Sequence, residues 1–229
     1  MRLLAIDTAL AACSAAVFDQ EVDRIIAGES VAMERGHAEA LLPLIARVMD
    51  AAEIEFDELE RIAVTVGPGS FTGLRVGIAA ARAIALVAGR PAVGVSTLAA
   101  YAAPCIADDL ADTVAVAIDA RHGNVYMQVF AGAGRTLVPG GFMDIATALA
   151  EIKETQGLVH LAGSAALLLA AQWPQGWTQP VVRRTGTAPE IEWVARLGAA
   201  ADADLAPAKP VYLRPPDARP QDGARLPRR

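Results

Sequence analysis

Short apolar runs and longer amphipathic stretches alternate along the chain, and this alternation predicts an α/β fold. Short apolar runs bounded by glycine, proline or aspartate favour strands. The predicted strands are residues 3–6, 14–19, 22–27, 62–66, 92–95, 113–118, 125–130 and 158–161. Apolar positions three or four residues apart favour helices. The predicted helices are residues 37–52, 72–88, 96–101, 142–155, 165–171 and 189–201.

Two hairpins in this pattern match each other, and one opens each half of the chain. Asp7 ends the first apolar strand, and Val17 on the returning strand follows it by ten residues. Asp119 and Val129 repeat this arrangement with the same separation. Two short hairpins can agree by chance, but the match predicts an internal duplication of one mixed-sheet unit.

The duplication divides the chain into two lobes and a tail. The first predicted lobe is residues 1–104 and the second is residues 105–213, with Pro104 as the candidate boundary. The last predicted helix is able to pack back on the first lobe. Residues 214–229 contain four prolines and five arginines against two aspartates, with few apolar residues, so this tail is predicted to be disordered.

The segment 65–89 runs from a strand end through a glycine and proline loop into an alanine-rich helix. Such a loop is a phosphate-binding arrangement, because free backbone N–H groups at a helix N-terminus point towards an anion. The loop lacks the Gly-Lys-Ser/Thr ending of a Walker loop. Its glycines, Gly67, Gly69 and Gly73, miss the dinucleotide-binding spacing by one residue. The loop alone therefore does not establish nucleotide binding.

The helix after this loop carries a stripe of very small residues. Gly73, Gly77, Ala81 and Ala85 recur every four residues, so they share one face. A face with so little side-chain volume lets another backbone approach closely. Two interpretations follow: the helix is packed inside its own domain, or its small face meets another chain.

Composition narrows the range of partners. The chain has 229 residues, of which 54% are hydrophobic and 5% aromatic, and its net charge is −6 with a pI near 5.1. An acidic chain is poorly suited to bind nucleic acid by itself, because neutralisation of phosphates supplies most non-specific affinity. A tRNA partner is therefore expected only through a complex.

The cysteines and the N-terminus indicate a cytoplasmic protein. Cys13 and Cys105 have neither metal-binding nor C-x-x-C spacing, which is typical of a reduced compartment. The N-terminus is a poor signal peptide because Asp7 interrupts its short apolar run. Arg82 interrupts the apolar run of residues 76–88, so no membrane span and no membrane partner are expected.

Asp7 and Asp119 are the candidate carboxylates, each at the end of a first hairpin strand. A carboxylate at that place can position a metal–phosphate through water, so the two would face an actin-like nucleotide cleft between the duplicated halves. Together with Thr8, Gly67 and Gly69 they form the predicted vestigial nucleotide cleft. Turn chemistry also favours aspartate at such places, and that structural interpretation is the alternative.

His37 is the remaining candidate for metal chemistry. It opens a predicted helix, but position 41, where an H-x-x-x-H pair would have its second imidazole, is Leu41. One imidazole rarely makes a metal site, so no metal ligand and no catalytic residue are predicted in this chain.

Several strings of residues resemble one family. They are IDT at 6–8, HAEALLP at 37–43, GPGSFTGLRVG at 67–77, IDARHGNVY at 118–126 and PVYLR at 210–214. With these strings the chain resembles the TsaB (YeaZ) family of glycoprotease-like proteins related to TsaD, most closely over residues 1–104. The resemblance implies a two-lobed actin-like fold of the sugar kinase/Hsp70/actin (ASKHA, ribonuclease H-like) type.

The resemblance also implies a function and partners. The family acts in making N6-threonylcarbamoyladenosine at position 37 of tRNAs that read codons beginning with A. The chemistry would belong to TsaD, with TsaE as an ATPase, so ATP and metal are expected on those partner subunits and no cofactor is expected to bind tightly to this chain. In the absence of TsaD the same surface would form a homodimer. An ATP-dependent actin-like transferase or kinase in its own right is the alternative.

The resemblance assigns the contact with TsaD to the helices at 37–52 and 72–88. The predicted interface residues are His37, Leu41, Leu42, Ile45, Gly73, Leu74, Gly77, Ile78, Ala81 and Ala85.

Overall fold

A computed structural model describes residues 1–108, 112–155 and 157–214. Two five-stranded mixed sheets form the centres of two lobes. All but the first residue of the tail predicted to be disordered lies outside the described residues.

The first sheet is built from the N-terminal half of the chain. Its strands are β1 (Arg2–Asp7), β2 (Ala12–Asp19), β3 (Arg24–Ala32), β4 (Arg61–Gly67) and β5 (Ala92–Ser96). The spatial order is β3-β2-β1-β4-β5. The first three strands are an antiparallel meander, and β4 and β5 continue the sheet parallel to β1.

The second sheet repeats this topology. Its strands are β6 (Thr113–Asp119), β7 (Asn124–Ala131), β8 (Thr136–Asp144), β9 (Val159–Ala162) and β10 (Val181–Val182). Read from the other edge, the order is β8-β7-β6-β9-β10, again with three antiparallel strands followed by two parallel ones. The identical order confirms the α/β, two-lobed actin-like fold built from a duplicated unit.

Six α-helices surround the sheets in the described part of the chain. They are α1 (His37–Ala52), α2 (Phe71–Ala88), α3 (Thr97–Ala107), α4 (Ile145–Lys153), α5 (Ala166–Ala171) and α6 (Ile191–Ala200). Alternate residues of β1 point to opposite sides of the sheet. Leu4 and Ile6 pack with α1 and α2 on one side, whereas Leu3 and Ala5 pack with α3 and α6 on the other.

Two of the differences from the sequence-based prediction are at β8 and α3. The strand β8 continues through Phe142 and Met143, and Asp144 then caps α4 by accepting the amide hydrogen of Thr147 at 2.8 Å. The helix therefore begins three residues later than predicted. The helix α3 continues through Pro104, so the predicted boundary lies inside a helix rather than in a linker.

The last helix packs on the first sheet although it follows the second in sequence. Arg61 of β4 donates hydrogen bonds from one guanidinium nitrogen to the carbonyl oxygens of Gly198, Ala199 and Ala201, at 2.9, 3.0 and 2.7 Å. A cation at the carboxyl end of a helix satisfies its unpaired carbonyls and favours its dipole. The chain thus returns to the first lobe, where α6 covers the same side of the first sheet as α3.

One helix, α2, is long and apolar enough to cross a membrane by length and composition, with a mean hydropathy of 1.6 over 18 residues. Core helices meet the same test. In this fold one side of α2 is buried with Leu4 and Ile6 of β1.

Candidate functional site

Asp7 ends β1 inside the first lobe, with no solvent exposure. Its Oδ1 atom accepts hydrogen bonds from the Thr65 hydroxyl at 2.6 Å and from the Ala9 amide at 3.0 Å. The Oδ2 atom is buried with no hydrogen-bond partner among the described residues. Burial raises the pKa of this carboxyl above its ordinary value of 3.8, because the charged form loses its hydration. Asp7 thus links the end of β1 to β4, and we call this buried junction the corner.

Asp119 occupies the equivalent place in the second lobe but is exposed. Its Oδ1 atom accepts the amide hydrogen of Arg121 at 2.7 Å, and its own amide donates to the Ser164 hydroxyl at 3.0 Å. Arg121 and His122 both have positive φ angles, 66° and 53°, which non-glycine residues rarely adopt. The hairpin tip that follows Asp119 is therefore tightly curved.

A cleft of about 550 Å³ opens between the lobes. Its walls come from the turn after β1, the glycine loop and the strand ends of the second sheet, and the residues that line it are Ala9, Leu10, Ala11, Glu34, Gly69, Ser70, Ile118, Asp119, Ala120, Arg121, Tyr126, Ser164 and Thr187. Of the predicted cleft residues, Gly69 and Asp119 line it. Asp7, Thr8 and Gly67 do not line it, because all three are buried, Gly67 against the Val211 carbonyl. The sequence-based prediction required the two aspartates to face a common cleft. In the structure only one of them does.

The glycine loop is bonded to its own chain. The Ser70 amide donates to the Ala9 carbonyl at 2.7 Å, and the Ser70 hydroxyl accepts the Gly73 amide hydrogen at 3.3 Å as the N-cap of α2. Two amides that a phosphate-binding loop would offer to an anion are thus already satisfied. The loop positions α2 against β1.

The small-residue stripe of α2 packs on the same corner. The Thr8 hydroxyl donates to the Gly73 carbonyl at 2.7 Å. A Cβ atom on Gly73 would overlap the Thr8 carbonyl oxygen, and one on Gly77 would overlap the Thr8 hydroxyl oxygen. The close backbone approach predicted from the stripe is real, but the backbone is that of this chain.

Most of the predicted interface residues are buried within this chain. The buried residues are His37, Leu41, Ile45, Gly73, Leu74, Gly77, Ile78, Ala81 and Ala85. Leu42 is the exception, with 60% of its surface exposed. Nine of the ten predicted interface residues thus pack inside their own lobe, and both sides of these helices are rich in apolar residues.

His37 has a structural contact. Its Nε2 atom lies 3.0 Å from the Leu10 carbonyl oxygen, and Leu41 one turn later is buried in the core. Within residues 1–108, 112–155 and 157–214, no group of three or more His, Cys, Asp or Glu side chains is arranged to hold a metal ion.

A group of apolar residues on the exposed and half-buried sides of α1 and α2 is called the outer face. It consists of Leu42 and Ala46 of α1 and Val76, Ala80, Ala83 and Val87 of α2. Leu42 and Val87 are 60% and 88% exposed, and the other four are exposed or half-buried. The signal in the sequence was again a spacing of three and four residues, at positions between the members of the small-residue stripe.

Comparisons with known proteins agree on one family. The family model described as TsaD: tRNA N6-adenosine threonylcarbamoyltransferase matches residues 30–181. The tRNA threonylcarbamoyladenosine biosynthesis protein TsaB of Escherichia coli (strain K12) is 39% identical over 126 residues, which are 55% of this chain and 53% of that protein. This chain therefore matches about half the length of that curated relative.

Two other similarities extend over nearly the whole chain. An uncharacterized protein of Mycobacterium tuberculosis (strain ATCC 25618 / H37Rv) is 34% identical over 222 residues, 95% of this chain and 94% of that one. A crystal structure of an uncharacterized protein with similarity to peptidase YeaZ from Pseudomonas aeruginosa is 28% identical, with a TM-score of 0.75, and covers 93% of this chain and 99% of that one.

Proposed function

Because the chain belongs to the TsaB/YeaZ group of the glycoprotease-like, TsaD-related family, we propose that it is a non-catalytic partner subunit in the biosynthesis of N6-threonylcarbamoyladenosine in tRNA. It binds and activates a TsaD-type transferase, which modifies position 37 of tRNAs that read codons beginning with A. Similarity to proteins named for tRNA threonylcarbamoyladenosine biosynthesis supports the pathway. The proposal that this chain is non-catalytic and its partner catalytic rests on the residues of this chain.

The observation that carries the proposal is the outer face. Six apolar positions on two adjacent helices are exposed or half-buried, and they include an exposed leucine and an exposed valine. Exposed apolar patches often mark protein–protein interaction sites. Small side chains such as Ala80 and Ala83 let a partner helix approach closely, as they do where helices pack tightly in other settings.

The side chains considered for catalysis have structural contacts instead. Asp7 is enclosed by Thr65 and Ala9, and His37 contacts the Leu10 carbonyl. In this proposal ATP and metal bind to the partner subunits, a TsaE-type ATPase completes the complex, and tRNA contacts this chain only through the complex. When the transferase is absent, the outer faces of two copies pair, and the whole assembly works in the cytoplasm.

Reconstitution tests this role. The TsaD-type transferase and the TsaE-type ATPase of the same organism are supplied with ATP, a threonylcarbamoyl donor and unmodified tRNA, with and without this chain, and the modified nucleoside is measured by mass spectrometry after digestion. The proposal expects little product without this chain and its recovery when the chain is added. Equal product in both reactions would overturn it.

The alternative function, an ATP-using transferase or kinase, is favoured by one observation, the cleft of about 550 Å³ with Asp119 on its wall. Calorimetry of the isolated chain with ATP and magnesium discriminates the two functions. Tight binding that Asp119→Asn abolishes would favour the enzyme. The partner role expects no heat of binding in the isolated chain.

A further inference from the structure

The segment after α6, residues 207–214, forms a strap that begins on the first lobe. The Gly94 amide donates to the Ala206 carbonyl at 2.8 Å, and Pro207 forms an antiparallel bridge with Val93 of β5. Four residues later, the Val211 amide donates to the Val66 carbonyl at 2.8 Å. The strap therefore runs from the middle of β5 to the carboxyl end of β4, directly beside the glycine loop.

The glycine loop is shaped to admit this strap. Gly67 has a φ angle of 120°, and a Cβ atom there would lie 2.6 Å from the Val211 carbonyl oxygen. Real Cβ atoms do not approach an oxygen this closely. Gly67, which the sequence placed in a phosphate-type loop, thus makes room for the strap.

The next strap residue, Tyr212, contacts the first turns of α2. Its ring centroid lies 5.4 Å from that of Phe71, and its hydroxyl accepts a hydrogen bond from Nε of Arg75 at 3.2 Å. The Arg75 guanidinium in turn lies 3.7 Å from the Phe71 ring centroid. Phe71 and Tyr212 are 50% and 44% exposed, so this cluster forms surface at the N-terminal end of α2.

The last two residues of the strap contact the second lobe. Leu213 packs in the cluster that joins α3 to the second sheet. A Cβ atom on Gly140 of β8 would lie 3.6 Å from the Leu213 side chain. The Arg214 guanidinium lies 5.2 Å from the ring centroid of Phe142, also on β8. Tyr212 and Leu213 are adjacent residues of the strap and thus contact different lobes.

We propose that this strap couples the second lobe to the partner-binding helix α2, so that a change in the angle between the lobes alters affinity for the partner. Tyr212 and Leu213 are adjacent in the chain, so one trans peptide bond holds their Cα atoms about 3.8 Å apart. Movement of β8 is therefore transmitted through Leu213 to Tyr212 and from there to Phe71 and Arg75. The effect on affinity for the partner rests on the proposed function. The coupling between the lobes does not, because it is a property of the isolated chain.

Hydrogen–deuterium exchange of the isolated chain tests the coupling itself. Leu213→Ala removes a contact to the second lobe and changes no residue of α2. The expected result is exchange roughly fivefold faster or more in the amides of residues 72–76, a size typical of coupling between sites. Leu167→Ala, the same substitution at an exposed position of α5 in the second lobe, is the matched control and is expected to exchange as the wild type does.

Arg214→Ala is the second variant, in case Leu213→Ala lowers the melting temperature measured by circular dichroism. Unchanged exchange of residues 72–76 in a folded Leu213→Ala chain, or in Arg214→Ala if the first variant does not fold, overturns the proposal.

Affinity for the TsaD-type transferase is then measured for the same chains. A roughly fivefold or greater loss for Leu213→Ala, with none for Leu167→Ala, supports the regulatory effect. Faster exchange with unchanged affinity overturns that effect. If the wild-type chain does not bind the transferase at all, the proposed function fails, and the exchange experiment still decides whether the strap couples the lobes.

Discussion

The two sides of α2 carry similar small and apolar residues but meet different surroundings. On one side Gly73 and Gly77 lie against Thr8, so closely that neither has space for a Cβ atom. On the other side Ala83 and Val87 face away from the first sheet and are exposed. The comparison teaches that a stripe of small residues predicts a close neighbour but does not say whether that neighbour belongs to the same chain.

A second comparison concerns the corner on which the glycine side packs. Asp7 and Asp119 end equivalent strands of two sheets with the same order. In the first lobe the corner is sealed under α2, and Asp7 has become part of the core. In the second lobe Asp119 remains on the wall of the cleft. Duplicated topology therefore does not preserve a duplicated site, because each lobe packs its own helix on the strand ends.

The largest expected effect is on the glycine side of α2. Gly77→Leu introduces a side chain where Thr8 leaves no space, and we expect a loss of about 3 kcal/mol or more in the free energy of unfolding. Urea denaturation followed by circular dichroism measures it. Ala79→Leu, on the exposed side of the same helix, is expected to change this free energy by at most about 0.5 kcal/mol. A Gly77→Leu chain with the wild-type midpoint would show that this side is not tightly packed.

A smaller effect is expected at the hydrogen bond between this side and β1. Thr8→Val keeps the shape of the side chain but removes the hydroxyl that donates to the Gly73 carbonyl. The expected cost is about 0.5–1.5 kcal/mol in the free energy of unfolding. Thr8→Ser retains the hydroxyl and is the control. Equal losses for both variants would show that packing of the methyl group, not the hydrogen bond, holds the corner.

The sealed corner also predicts a dependence on pH. Burial raises the pKa of Asp7, so its folded form favours the protonated carboxyl, and its contribution to stability is greatest below pH 3.8 and declines as pH rises through the raised pKa. Asp7→Asn lacks this titration. The free energy of unfolding of the wild type relative to Asp7→Asn is therefore expected to fall between pH 4 and pH 7. Asp119→Asn, the same change at an exposed carboxyl, is the control, and a relative stability that rises with pH would contradict the account.

Much of the fold followed from local pattern. Apolar strand runs and turn residues identified the strands of both sheets except β8 and the short β10, and the ten-residue match between Asp7 and Asp119 hairpins indicated the duplication. The end of β8 was predicted as helix because apolar residues such as Phe142 and Met143 fit the pattern of a strand and that of a helix equally well. The continuation of α3 past Pro104 was missed because tertiary packing can outweigh the one hydrogen bond that a proline removes.

Less of the candidate site was predictable, because its contacts join residues far apart in sequence. Thr8 and Gly73 are separated by 65 positions, and no periodicity in α2 shows which side they share. The strap has no periodicity either, so the contacts of Tyr212 and Leu213 with different lobes appear only in the structure. The motif PVYLR marked this segment as characteristic of the family without indicating what it touches.

The most direct test of the account is calorimetric titration of the TsaD-type transferase of the same organism with this chain and with its Ala83→Trp variant. The account predicts that Ala83→Trp retains the wild-type unfolding midpoint but weakens binding at least about tenfold, which corresponds to roughly 1.4 kcal/mol. Binding of the folded Ala83→Trp chain with the wild-type affinity would contradict the claim that the outer face of α2 receives the partner.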